Sequence, residues 1–299
     1  MKIVVAGGTG SIGSKLVNHL KHKHDITILS RSRDNVISEN VRIITYSNNI
    51  ENWCDSLDKA DVVINLVGES INNKRWSKKQ KKIILNSRLD SITKISKALK
   101  VINHKPKLIM NASAVGYYAY SDKPQDESSD NGKHFLSDVC LHWESKAIEE
   151  FSSKTDRLVI LRIGVVLDSD SGILPKLSFL FKCGLGSIIG NGKQSFPWID
   201  IDDVVGSAIY IINSNIKGPV NLVAPAKDTN YSFSKKMGRV LNRPVFLRIP
   251  RFLIRIILGE MSQIATKSLN INSKILLDSE YRFKFSKIDK SLKKNYTKE

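Results

Sequence analysis

Cysteine is scarce in this chain: Cys54, Cys140 and Cys183 are odd in number, far apart and show no CxxC spacing. That excludes a disulfide-built secreted scaffold and points to a reduced compartment, the cytoplasm. Metal ligands are thin as well. His22 with His24, and Cys140 with His142, each lack a second ligand pair, so no metal is implied. With 17 glycines and 8 prolines among 299 residues the chain is neither collagen-like nor of low complexity, and 41% hydrophobic residues are too many for a disordered one. No run approaches the roughly 18 apolar residues of a membrane-spanning helix. The residues after Met1 pass straight into a glycine loop, which leaves no room for the apolar region of a signal peptide.

Acidic residues are short too: 29 Asp and Glu stand against 47 Lys and Arg, a net charge of +18. Such a field attracts nucleic acid, anionic membrane or phosphorylated ligands. The basic residues are scattered over helix-face positions, however, and Lys, Ile and Asn are overused together as AT-rich codons would dictate, so no nucleic-acid partner is expected.

What the chain does have is rhythm. Apolar runs at Lys2–Ala6, Ile26–Leu29, Val41–Tyr46, Val62–Val67, Leu108–Ala112 and Leu158–Ile163 lack alternation, the mark of strands covered on both faces. Helical spacing lies between them, at Ser14–His22 and in Ser77–Asn103, where Ile84, Leu85, Ile92, Ile95, Leu99 and Ile102 follow three- and four-residue steps. Alternating strands and helices predict an α/β fold with a doubly wound parallel sheet. After residue 168 a glycine-rich stretch breaks the pattern. A helix at Asp203–Asn213 and a strand at Pro219–Val223 return to the sheet.

Gly7, Gly10 and Gly13 are spaced G-x-x-G-x-x-G, directly after a buried strand and directly before an amphipathic helix. In that context the glycines permit a tight turn, close backbone approach to a pyrophosphate, and tight helix–strand packing, with the helix N-terminus facing the phosphates. The second strand ends in Leu29-Ser30-Arg31-Ser32-Arg33, where an NAD site places an acid for the ribose hydroxyls. Arg31 and Arg33 suit a 2′-phosphate instead, so NADP(H) is preferred over NAD(H). The dinucleotide-binding, Rossmann-type domain is then 1–168 plus the returning segment 200–223. Residues 169–199 and 224–299 form a smaller, mostly helical substrate domain ending in a Lys-rich tail expected to fray. The apolar residues of Arg248–Ile257 are expected to pack as a helix of that domain; the alternative is an amphipathic element for a membrane surface or nucleic acid.

With these motifs in hand the chain resembles the extended short-chain dehydrogenases/reductases and, within them, the YfcH-type epimerase family, over nearly its whole length. The resemblance rests on the glycine loop, Asn65-Leu66-Val67-Gly68-Glu69 with Arg75-Trp76 and Ser87-Arg88, Ser113-Ala114-Val115-Gly116-Tyr117-Tyr118, Cys140-Leu141-His142-Trp143-Glu144, Leu161-Arg162-Ile163-Gly164, and Trp198-Ile199 with Asp202-Asp203. Asn242-Arg243-Pro244 and Leu258-Gly259-Glu260-Met261 are similar to the small domain that ends these proteins, although Glu280-Tyr281-Arg282-Phe283 departs from the family's Gly-Phe-x-Phe. The resemblance implies a cofactor site of Gly7, Thr9, Gly10, Ser11, Ile12, Gly13, Arg31, Arg33, Asn65, Leu66, Val67, Gly68, Glu69, Ser87 and Arg162. Asn65 to Gly68 lie on the adenosine-ribose side.

Reductases of this superfamily use a Tyr-x-x-x-Lys pair on one helix. Here those positions hold Cys140 and Glu144, a departure the YfcH-type group shares. The catalytic candidates are therefore Ser113, Tyr117 and Glu144, with Tyr117 and Tyr118 readable either as replacement acids or as packing residues. Glu69, Arg75, Trp76, Arg88 and Trp143 are candidates for the substrate side. Two functions fit: an NADP-dependent epimerase or oxidoreductase acting on an unidentified small molecule, or a catalytically silent NADPH sensor read by a protein partner. By analogy with the superfamily, Ser77–Asn103 is a candidate homodimer interface.

Overall fold

The computed structural model describes residues 1–31 and 35–296. Eight strands form the main sheet: β1 (Lys2–Ala6), β2 (Asp25–Ser30), β3 (Asn35–Ser38), β4 (Val41–Thr45), β5 (Val62–Asn65), β6 (Leu108–Ala114), β7 (Arg157–Ile163) and β8 (Gly218–Leu222). Their order is β8-β7-β6-β5-β1-β2-β4-β3, parallel except for the β3–β4 edge. The apolar runs of the sequence are these strands; Ile3, Val4, Val5, Val63, Ile64, Ile109 and Met110 are wholly buried.

The chain leaves β1 in one direction for β2 and β4, then returns beside β1 as β5 and proceeds the other way to β8. Right-handed crossovers running in opposite directions put their helices on opposite faces of the sheet. On one side are α1 (Ser11–Leu20) and, later, α5 (Ile201–Ile212), which pack together; on the other are α2 (Lys78–Val101) and α3 (Phe135–Phe151). The reversal between β1 and β5 opens a crevice at the carboxyl ends of those strands, the place where such sheets bind ligands.

A second core lies among α4 (Leu174–Lys182), α6 (Asn230–Val240) and the helix Ile288–Tyr296, with Leu174, Phe181, Phe233, Met237, Ile288 and Leu292 buried together. The Lys-rich tail is thus docked as far as Tyr296, contrary to the expectation that it frays. Ile288 and Leu292, four residues apart on one helix face, are wholly buried, and Lys294 lies 2.9 Å from the buried carboxylate of Asp200. The expected packing of Arg248–Ile257 is also corrected. In α7 (Arg251–Leu258) only Ile254 is buried, while Phe252, Ile256 and Ile257 are more than 60% exposed.

Several short strands were not evident in the sequence. Ser121–Gln125 pairs with Leu269–Ile271, although it contains Lys123 and Pro124. Its charged exposed positions explain why it lacks the apolar signature of a buried strand.

Candidate cofactor and catalytic cleft

The crevice between β1 and β5 is floored by backbone. Gly7 has φ +80°, a left-handed conformation that L side chains rarely adopt, and a Cβ there would stand 3.1 Å from the carbonyl carbon of Leu66. At Gly13 a Cβ would collide with the carbonyl oxygen of Gly7 and the Cα of Gly8. Only glycine lets α1 start this close to β1.

Gly10 caps α1 with no side-chain hydrogen bond, and the first turn carries no acid, so the positive end of the helix is left for an external anion. Thr9, Gly10 and Ser11 are exposed around it, and Ile12 is half-buried. Thr9 Oγ1 lies 3.2 Å from Ser30 Oγ, tying the loop to the end of β2. Arg31 follows, exposed. Arg33 lies outside the described residues. This open, backbone-lined, uncapped cradle fits a dinucleotide pyrophosphate, with Arg31 at its rim.

On the β5 side, wholly buried Asn65 sets the loop. Its Nδ2 donates to Asn111 Oδ1 at 2.8 Å and to Ser91 Oγ at 3.1 Å, while its Oδ1 accepts from the amide of Val67 at 3.3 Å. Asn65 is therefore a brace, and Leu66, Val67 and Gly68 are what the crevice presents. The amide of Glu69 donates to Ser87 Oγ at 3.0 Å, and Arg88 donates to the carbonyls of Glu69 and Ile84. The Arg88 guanidinium sits against Gly68 and over the Trp143 ring, 4.7 Å from its centroid. Among the described residues no carboxylate lies within 4 Å of it, and burial pushes its pKa below the ordinary arginine value.

Deeper in, β6, β7 and α3 bring Ser113, Arg162 and Glu144 together. Ser113 Oγ donates to Glu144 Oε1 at 2.6 Å; Arg162 Nη2 donates to Glu144 Oε2 at 2.8 Å and its Nε to Oε1 at 3.0 Å. Arg162 Nη1 also donates to Tyr118 Oη at 2.8 Å, and that hydroxyl donates to Asn221 Oδ1 at 2.7 Å. The Tyr117 ring lies against the guanidinium, 3.6 Å from ring centroid to Cζ.

An arginine inside the apolar run of β7 is tolerable only because a carboxylate and a hydroxyl meet it. Burial opposes its charge, but the bonds and charge of Glu144 outweigh burial and raise its pKa above the ordinary value. Burial pushes the Tyr118 hydroxyl up to about 12, against the opposing charge of Arg162 and the bonds to Arg162 and Asn221. The Cys140 thiol is likewise pushed up to about 12, chiefly by burial and then by the charge of Glu144. At neutral pH it is a protonated thiol.

The structure thus brings Ser113, Tyr117 and Glu144 into one cluster and puts Arg162 at its centre. Lys146, two residues beyond Glu144, points elsewhere and pairs with Glu150 at 2.8 Å. The pairing of Arg162 with Glu144 was missed in the sequence. Its signal was a charge inside the apolar run Leu158–Ile163.

A family model described as the NAD dependent epimerase/dehydratase family matches residues 3–224. The chain belongs to that family. A second model, a domain of unknown function (DUF1731), matches residues 249–294. An epimerase family protein of Staphylococcus haemolyticus is 34% identical over 295 residues, covering 96% of each chain. Mouse epimerase family protein SDR39U1 is 34% identical over 300 residues, covering 98% of this chain and 99% of that protein. Human SDR39U1 (isoform 2), solved with NADPH, superposes with a TM-score of 0.88 at 30% identity over 99% of both chains. An NAD(P)-type Rossmann fold is therefore common ground for all of them. No helix among the described residues is long and apolar enough to cross a membrane, and no three His, Cys, Asp or Glu side chains group as a metal site.

Proposed function

We propose that the chain binds NADP(H) in preference to NAD(H), in the crevice between β1 and β5, and acts as an epimerase or oxidoreductase on a small molecule. The observation that carries this reading is the uncapped N-terminus of α1 over a glycine floor that admits no side chain. Arg31 at the end of β2, where no acid stands, supports the preference for the 2′-phosphate. The NADPH recorded with the human relative agrees with it.

In this reading Gly7 to Gly13 hold the pyrophosphate and Leu66 to Gly68 line the adenosine-ribose side. The nicotinamide, when bound, supplies or accepts a hydride. The proton is handled by Ser113 and Glu144: a proton arriving at Ser113 Oγ passes 2.6 Å to the carboxylate as the serine gives up its own. Arg162 fixes that carboxylate in place through bonds to both of its oxygens. Tyr117 is the alternative acid. Arg88, over Trp143 and with no carboxylate within 4 Å among the described residues, faces an anionic part of the substrate.

Calorimetric titration with NADPH, NADP and NADH tests the cofactor reading. NADPH binding should weaken at least tenfold in Arg31→Ala while NADH binding stays as it was. Absence of binding by any dinucleotide overturns it.

One observation favours a second reading, a silent NADPH sensor acting through a protein partner. Glu144 is 4% exposed and already accepts bonds from Ser113 and Arg162, so it is saturated as a structural group would be. Hydride turnover over a panel of carbonyl and nucleotide-sugar substrates, lost in Ser113→Ala, separates the two.

A further inference from the structure

Helix α7 is apolar on two sides. At about 100° per residue, buried Ile254 and half-buried Leu258 face the protein, while Phe252, Leu253, Ile256 and Ile257 form a separate arc turned away from it. Phe252, Ile256 and Ile257 are 62%, 68% and 62% exposed, and Phe246, four residues ahead of Pro250, is 72% exposed. Arg251 and Arg255, both exposed, lie between the outward arc and the buried side.

The ridge is held firmly. Arg75, from the loop before α2, donates through Nε to the carbonyl of Ile257 at 3.1 Å and through Nη2 to those of Ile256 and Ile257 at 2.5 and 2.6 Å, capping the negative end of α7. Lys81 pairs with Glu260 at 2.6 Å just beyond. An apolar ridge braced in this way is presented, not frayed.

Charge decides what it meets. Between Asp228 and Glu260 the chain carries seven Lys and Arg and no Asp or Glu. A second copy docked through this face would bring two stretches of like charge together. Apolar residues flanked by arginines, on a protein of net charge +18, fit the headgroup region of an anionic bilayer.

We propose that α7 docks this protein peripherally onto anionic phospholipid surfaces, with Phe252, Ile256 and Ile257 inserted and Arg251 and Arg255 at the headgroups. The geometry is independent of any cofactor.

The test is co-sedimentation of the full chain with phosphatidylcholine vesicles, and with the same vesicles carrying about 30% phosphatidylserine, in 150 mM salt. Each cation near an anionic leaflet contributes about fivefold to partitioning. Wild type should pellet with the anionic vesicles at least tenfold better than with neutral ones. F252S/I256S and, separately, R251E/R255E should each lose at least tenfold, with unchanged circular dichroism and melting temperature.

Failure of wild type to bind anionic vesicles at that salt overturns the proposal. So does binding that both variants retain, because it would then come from diffuse basicity. A concentration-dependent dimer in sedimentation velocity that F252S/I256S abolishes overturns it as well, since the ridge would then be a contact between copies.

Discussion

Arg162 and Glu144 form a buried two-pronged ion pair between β7 and α3, with Nη2 2.8 Å from Oε2 and Nε 3.0 Å from Oε1. The helix carboxylate and the arginine of the neighbouring strand balance each other's charge. Breaking one side strands the other in a low-dielectric core. Arg162→Leu should destabilise the protein by about 3–5 kcal/mol, and Arg162→Leu with Glu144→Leu should restore most of that loss. Urea unfolding of the two single variants and the double one checks this; additive losses would mean the two groups are not coupled.

Cys140 should be inert. With its thiol pushed up to about 12, iodoacetamide at pH 8 should label exposed Cys183 and leave Cys140 untouched until the protein unfolds. Peptide mass spectrometry of native and urea-treated samples reads this directly. Rapid native labelling of Cys140 would mean that α3 opens to solvent.

The glycines of the loop should separate by role. A Cβ at Gly13 collides with the backbone of Gly7 and Gly8, so Gly13→Ala should lower stability by about 1–3 kcal/mol. At Gly10 a Cβ would stand 3.3 Å from the nearest atom, the carbonyl oxygen of Gly7, so Gly10→Ala should fold normally and lose at least tenfold in NADPH affinity. Thermal melts and calorimetry together separate the two effects.

On the acid side, Glu150 is held below its ordinary pKa by its bond to Lys146 and then by that to Ser96. A carboxyl whose folded pKa is depressed contributes stability that is complete above its unfolded value, near 4.5, and is lost as pH falls through the folded value. The urea midpoint should therefore fall between pH 5 and pH 3. In Glu150→Gln the midpoint should be lower at pH 7 and should change less across that interval. An identical pH slope in the variant would remove Glu150 from the acid response.

The parts of the fold that the sequence declared are those encoded locally. Strands buried on both faces appear as unbroken apolar runs, and the glycine loop is a seven-residue pattern whose backbone demands are met on the spot. Arg162 shows the limit: its place in an apolar run required an acid, but nothing in one dimension selects Glu144, 18 residues upstream, over other acids. In α7 the spacing revealed apolar stripes without revealing which faced inward, because both arcs are apolar. The tail was misread because its lysines outnumber the two residues, Ile288 and Leu292, that anchor it.

Asp200 is wholly buried, and Ser291, Lys294 and Asn295 of the helix Ile288–Tyr296 all bond its carboxylate. During synthesis Asp200 leaves the ribosome about 90 residues ahead of those partners, roughly 5–20 s at ordinary elongation rates. Throughout that interval the smaller core lacks one wall, and Leu174, Phe181 and Phe233 are open to any chaperone or protease at hand. A nascent chain stalled or cut before residue 288 would thus carry a finished parallel sheet beside an unsealed apolar cluster, and the cell would have a physical means of telling it from a completed one.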